Sequence, residues 1–170
     1  RNKLFFCRRR NSKIIILESK KNLLGYSMIP LIDIFKSINE PKYRAQQLLK
    51  WIHQKGVTNF DLMTDFNKPL REKLKSLATL ELPKVSKVFK SPEGTEKYLV
   101  ELASGSMIEM VVIPEKKRTT LCISSQVGCA LQCTFCATGA KGFEKNLTAD
   151  EIIGQLWLAN FYTKNSNNIS

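Results

Sequence analysis

Three cysteines stand at Cys129, Cys133 and Cys136, within the run VGCALQCTFC. Three residues separate the first pair and two separate the second. The set therefore supplies three thiolates. A closed structural zinc site takes four ligands in a tetrahedron. Zinc would need a further group here, and Cys122 or the sole histidine, His53, is available. A four-iron, four-sulfur cluster is held by cysteine thiolates. Held by only three, it keeps one iron open to bind a small molecule and pass it an electron. The open-iron reading also accounts for Phe135 inside the run and for the strand-like residues before it.

Two other residues have chemistry to offer. Glu109 is the only charge in Met107-Ile108-Glu109-Met110-Val111-Val112-Ile113. A carboxylate on so apolar a strand sits on the solvated face or is held inside, where burial would raise its pKa toward that of a general base. Spacing alone favours solvent. Cys122 lies seven residues before the cluster, and on its own reads as a small buried hydrophobe. His53 reads as a surface residue. Tyr43, Arg44, Lys50, Trp51 and Lys55 mix basic and aromatic groups, a combination that suits RNA phosphates and bases as well as it suits ordinary surface and core. Cys7 receives no role.

These residues need elements to position them. Met28 to Ile38 reads as a short first helix. Ala45, Leu48, Leu49 and Ile52 fall at helical spacing between Lys42 and Lys55, with Gly56 placed to stop that helix. Asn67 can cap a third helix with Pro69 in its first turn and Leu70, Leu74, Leu77 and Ala78 along one face. Residues 28–83 are thus expected to form a small helical domain. Beyond Pro83 the period changes. Residues 84–90, 97–102 and 107–113 read as strands, with Ser91-Pro92-Glu93-Gly94 a strong turn. Residues 84–118 are expected to form a β meander and linker. Thr120–Ser125 reads as a short buried strand running into the cysteine loop. Thr148-Ala149-Asp150-Glu151 is a capping box opening an amphipathic helix through Ile152, Ile153, Leu156, Trp157 and Ala159. Strand, loop and helix suggest one β/α unit of a parallel sheet. Residues 119–170 therefore read as the start of an α/β barrel, truncated after its first unit.

The chain has 170 residues, 43% apolar and 25% charged, as for an ordinary soluble protein. No apolar run approaches the ~18 residues of a membrane span. Five cysteines, three of them clustered, do not make a secreted disulfide framework, and a reducing cytoplasm is expected. The net charge is +12. Residues 1–27 hold eight Lys or Arg and one acid, Glu18. Their apolar pieces are too short for a signal peptide. This basic extension is expected to be foreign or dispensable, with Met28 near the natural start. The alternative is a short arm that binds RNA. The mildly basic body suits a nucleic-acid partner without proving one.

The run TLCISSQVGCALQCTFCATGAKGFEKNLTADEIIGQLW (120–157) closely resembles the bacterial dual-specificity RNA methyltransferases of the radical S-adenosylmethionine (SAM) class, the RlmN type. KYRAQQLLKWIHQKGVTNFDLMTDFNKPLREKL (42–74) resembles that family's N-terminal helical domain, and MIEMVVIPEKKRTTLC (107–122) its link into the barrel. The resemblance covers about residues 28–163. It implies methylation of adenine at carbon 2, in 23S ribosomal RNA and in transfer RNA next to the anticodon. It implies a [4Fe–4S] cluster and two SAM molecules. One SAM methylates a cysteine expected beyond Ser170; the other is cleaved to a 5′-deoxyadenosyl radical that activates the methylcysteine. A transient disulfide, a flavodoxin-like electron donor and a monomer complete the implied picture. Carried over by position, Cys129, Cys133 and Cys136 are the cluster ligands and Phe135 lies near the SAM adenine. Cys122 resolves the protein–RNA adduct, and Glu109 accepts a proton. Truncated as expected, the chain by itself would be inactive. The sister activity at adenine C8 and a non-catalytic zinc or RNA-binding module are the alternatives. Gln126 to Leu131 and the Gly142-Phe143 pair favour C2.

Overall fold

In a computed structural model the structure describes residues 20–131 and 142–162. The expected ligands Cys133 and Cys136, and Phe135, lie outside the described residues, as does the extension through residue 19.

Three helices form the first layer: α1 (Met28–Ser37), α2 (Tyr43–His53) and α3 (Lys68–Leu77). The expected apolar face of α2 is the buried one, with Ala45, Leu48 and Ile52 fully covered. Asn67 caps α3 by accepting from the Leu70 amide at 2.9 Å, and Pro69 sits in the first turn, where its missing N–H costs nothing. Leu70 and Leu74 face the core. Leu77 does not; it is exposed.

The layer begins earlier than Met28. Strand β1 (Lys21–Asn22) pairs in parallel with β2 (Ala78–Thr79), and a 3-10 turn follows at Leu23–Gly25. Leu23 and Leu24 are fully buried in the helical core. Asn22 ties the segment down: its Nδ2 donates to Glu81 O at 2.9 Å and to Asp150 Oδ2 at 3.0 Å. The expected boundary at residue 27 is therefore wrong for residues 21–26, which are integral to the domain. Two residues of strand and three of 3-10 turn carry no readable period, which is why the sequence hid them.

The second layer is a four-stranded antiparallel sheet in the order β3 (Lys84–Lys90), β4 (Glu96–Glu101), β5 (Met107–Pro114), β6 (Thr119–Cys122). Tyr98, Val100, Ile108, Met110 and Val112 bury one face. The strand before the cysteine loop was expected in a parallel sheet. Instead β6 pairs antiparallel with β5, Val111 opposite Cys122, and extends the meander. Among the described residues the only parallel ladder is β1 with β2. Strand, cysteine segment and helix follow in the expected order, but among the described residues the strand has no parallel partner.

Helix α4 (Ala149–Trp157) follows, continued by a π turn at Leu158–Tyr162. The capping box is formed: the Thr148 amide donates to Glu151 Oε2 at 2.9 Å. Leu158 and Ala159 cover the sheet core, while Ile153 packs on the helical core and Trp157 on both. Trp157 Nε1 donates to Ile52 O at 2.9 Å and fixes the two layers together. Close approach is built in at Gly25, where an added Cβ would lie 2.4 Å from the Asp150 nitrogen. No helix among the described residues is long and apolar enough to cross a membrane.

Candidate active site

Side chains alternate across a strand, so a sheet with one buried face has one open face. In β5 the buried set is Ile108, Met110 and Val112. Glu109 and Val111 therefore point the other way. Cys122 lies directly opposite Val111, which places it on the same face as Glu109 and one step along the diagonal, where pairs sit ~7–8 Å apart at Cα. Glu109 and Cys122 line one cleft of about 560 Å³ together with Lys97, Leu99, Ser124 and Gln126. Its rim includes Gly128 and Gly142.

The carboxylate of Glu109 is about half exposed and takes the Lys97 ammonium at 3.3 Å. The sequence expectation of solvent exposure holds, and the exposed side lines the cleft. Cys122 is an exposed free thiol, so its reading as a small buried hydrophobe is corrected. The cause is its position at the end of an edge strand on the open face.

A two-stranded antiparallel hairpin, β7 (Gln126–Gly128) with β8 (Phe143–Asn146), presents the cysteine loop. The Cys129 amide donates to Gly142 O at 3.0 Å and closes the base of the loop. Gly128 has φ +72°, and an added Cβ would lie 1.8 Å from Gly142 O. Only glycine fits there. Val127 and Leu147 anchor the hairpin in the sheet core, and Ser106 Oγ donates to Glu144 Oε1 at 2.5 Å. Cys129, a half-buried free thiol, thus leaves the hairpin at the cleft's rim. Three thiolates within eight residues suit an iron–sulfur cluster by donor chemistry. Among the described residues no three of His, Cys, Asp and Glu gather as a metal site, and His53 closes α2 in the helical layer.

Gln155 carried no expectation, yet it is fully buried. Its Oε1 accepts from the Ser124 amide at 2.9 Å and its Nε2 donates to Ser124 O at 2.9 Å. Ser124 Oγ in turn donates to Glu109 O at 2.7 Å. The amide thereby holds the turn after Cys122 against β5. A lone amide between the apolar residues of α4 was the available signal. The mixed set on α2 divides. Arg44 is spent internally, donating to Asp65 O at 2.8 Å and Gln47 Oε1 at 2.9 Å. Trp51 is buried and donates to Asp65 Oδ2 at 3.1 Å. Tyr43, Lys50 and Lys55 stay exposed, Lys55 over the Trp51 ring at 3.4 Å.

Residues 21–80 match the model of the ribosomal RNA large subunit methyltransferase N-terminal domain. The chain is 52% identical over 141 residues to a dual-specificity RNA methyltransferase RlmN of Pseudomonas fluorescens, covering 83% of this chain and 37% of that protein. A protein of the same name from Saccharophagus degradans is 51% identical over 141 residues, 83% of this chain and 35% of its own length. The chain thus spans little more than a third of these relatives. The crystal structure of a radical SAM methyltransferase from Sphaerobacter thermophilus superposes with a TM-score of 0.77 at 33% identity, over 85% of this chain and 42% of that one.

Proposed function

This chain belongs to the RlmN family, and from that premise we propose that the protein is a radical SAM methyltransferase acting at adenine C2 of 23S ribosomal RNA and of transfer RNA next to the anticodon. The observation that carries the reading is the β5–β6 pairing. It sets Glu109 and Cys122 on one open face, in one cleft, with the cysteine hairpin at its rim. Cys129, Cys133 and Cys136 would hold a [4Fe–4S] cluster, which when bound supplies the electron that cleaves SAM. Phe135 would lie against the SAM adenine.

The roles of the protein's own groups follow from where they sit. Glu109 accepts a proton from the modified base. Its carboxylate is open to the cleft, and the Lys97 ammonium at 3.3 Å aims it. Cys122, as thiolate, attacks the sulfur of the cysteine whose methylene bridges protein to RNA. The S–S bond of a transient disulfide forms as that C–S bond breaks, and the electron pair leaves with the methylene carbon, which takes up a proton to become the methyl group of the product. An exposed thiol at the end of a strand can reach such an adduct; a buried one cannot. Gln155 positions Cys122 through Ser124. The protein works as a cytoplasmic monomer supplied with electrons by a flavodoxin-like donor.

The test uses full-length protein reconstituted without oxygen. Cys122→Ala should bind iron and RNA normally and accumulate RNA joined covalently to protein, seen as a slow band on a denaturing gel. Glu109→Gln should lose turnover while keeping RNA affinity. Cys133→Ala should lose most of its iron. Liquid chromatography of the digested nucleosides against 2-methyladenosine and 8-methyladenosine standards, with mass detection, separates methylation at C2 from methylation at C8. Normal turnover by Cys122→Ala with no trapped adduct would remove Cys122 from the mechanism.

A further inference from the structure

The open face of the sheet continues past the cleft to its far edge. Register places four residues in one lateral row: Phe89 opposite Lys97, Lys97 opposite Val111, and Val111 opposite Cys122. At the end of this row Phe89 leaves 45% of its surface uncovered. Two ammonium groups flank its ring, Lys87 Nζ at 4.8 Å and Lys97 Nζ at 5.4 Å from the centroid. Strand β3 carries Lys84, Lys87 and Lys90 and no acid. Lys90 is paired with Glu96 at 2.6 Å; Lys87, and Lys97, which also reaches Glu109 at 3.3 Å, are the cations placed over the ring.

Lysines on an edge strand also discourage sheet-to-sheet pairing. That role explains Lys84 and Lys90. It does not call for a large exposed aromatic between two of the cations, which by itself would favour association. A flat ring bordered by positive charge is instead what single-stranded nucleic acid uses: the ring stacks a base and the ammonium groups meet its phosphates. Resting on the methyltransferase reading above, we propose that Phe89, with Lys87 and Lys97, stacks an unpaired nucleotide of the substrate RNA that flanks the target adenosine.

Distance supports the assignment. Strands lie ~4.8 Å apart, so three steps put Phe89 about 14 Å from Cys122 at the backbone. That is roughly four stacked nucleotides at ~3.4 Å each, and fewer in an extended strand. Lys97 belongs to both ends of the track, since it lines the cleft and also faces the ring. A base held on Phe89 would fix how far the RNA can slide across Glu109 and Cys122.

The experiment uses full-length protein and hairpin RNAs bearing 2-aminopurine at each loop position in turn. Stacking should quench the probe at one or two positions a few nucleotides from the target. Phe89→Ala and Phe89→Leu should abolish that quench and weaken binding by about five- to hundredfold, with the salt dependence of binding unchanged. Phe89→Trp should restore both. Lys87→Ala should instead reduce the salt slope by about one phosphate contact. Quenching and affinity as tight in Phe89→Leu as in wild type would overturn the proposal. So would a Phe89→Ala protein that melts several degrees lower with unchanged quench, because the ring would then be packed under another part of the polypeptide. A wild-type protein that neither binds nor methylates these RNAs would instead overturn the methyltransferase reading itself.

Discussion

Gly128 is the residue on which the cysteine loop hangs. With φ +72° and no room for a Cβ beside Gly142 O, a Gly128→Ala chain must either strain its backbone or open the hairpin. The strain is about 1–3 kcal/mol, close to what a three-residue ladder can hold. Amide hydrogen exchange at Phe143–Asn146 should rise by about tenfold or more, and reconstituted iron content should fall although every cysteine remains. Gln155 makes a second residue-scale test. Gln155→Leu leaves the Ser124 N–H and C=O without their partner, at a cost of about 1–3 kcal/mol. Cys122 should then react faster with a thiol reagent, because the turn behind it is loosened. Neither residue was found by reading types and spacing, since the close approach at Gly128 and the partner of Gln155 are tertiary facts. The roles expected for Glu109 and Cys122 came only from resemblance. Period alone put the first on solvent and the second in the core, and only strand pairing brings them to one cleft.

Elements were legible where they obey a long period. α2 and α3 declared their buried faces over three turns, and the meander declared its strands by alternation and by the Pro92–Gly94 turn. The elements missed were those too short to hold a period: β1, the turn at Leu23–Gly25, and the hairpin β7–β8. Their order is imposed by partners far away in sequence, Lys21 with Ala78 and Val127 with Lys145. The expectation for β6 failed for a related reason, since a four-residue strand carries no information about the direction of its neighbour. The corrected boundary makes a prediction. Leu24→Ala should destabilise the protein by about 2–5 kcal/mol, measured by denaturant unfolding, and deletion through residue 27 should prevent folding of the helical layer. The capping box of α4 makes another. Burial would raise the Glu151 pKa, but the Lys145 ammonium at 2.8 Å and the Thr148 amide outweigh it and hold the carboxyl below its ordinary value. A depressed pKa contributes stability above the unfolded value that is lost as pH falls through the folded one. Glu151→Gln should therefore cost about 1 kcal/mol at neutral pH, and the difference from wild type should shrink below about pH 4.5.

At the scale of the whole molecule two cores share one helix. Trp157 touches both and donates to Ile52 O. Trp157→Phe keeps most of the apolar contact and removes the bond, so it should cost about 1 kcal/mol. The unfolding curves of the two layers, followed by Trp51 fluorescence and by amide exchange in β4, should then cease to coincide. The same helix also governs when the molecule can be finished. Leu24 packs at Gly154, where an added Cβ would lie 3.5 Å from its Cδ2, and about 130 residues of chain separate the two. At ~5–20 residues per second of synthesis, the N-terminal turn waits roughly 6–26 s for the surface that covers it. During that wait Leu24 stays open on the side that Gly154 will cover. Ribosome-bound chains arrested before Ala149 should be cut readily by protease near Gly25, and chains arrested well past Tyr162 should resist.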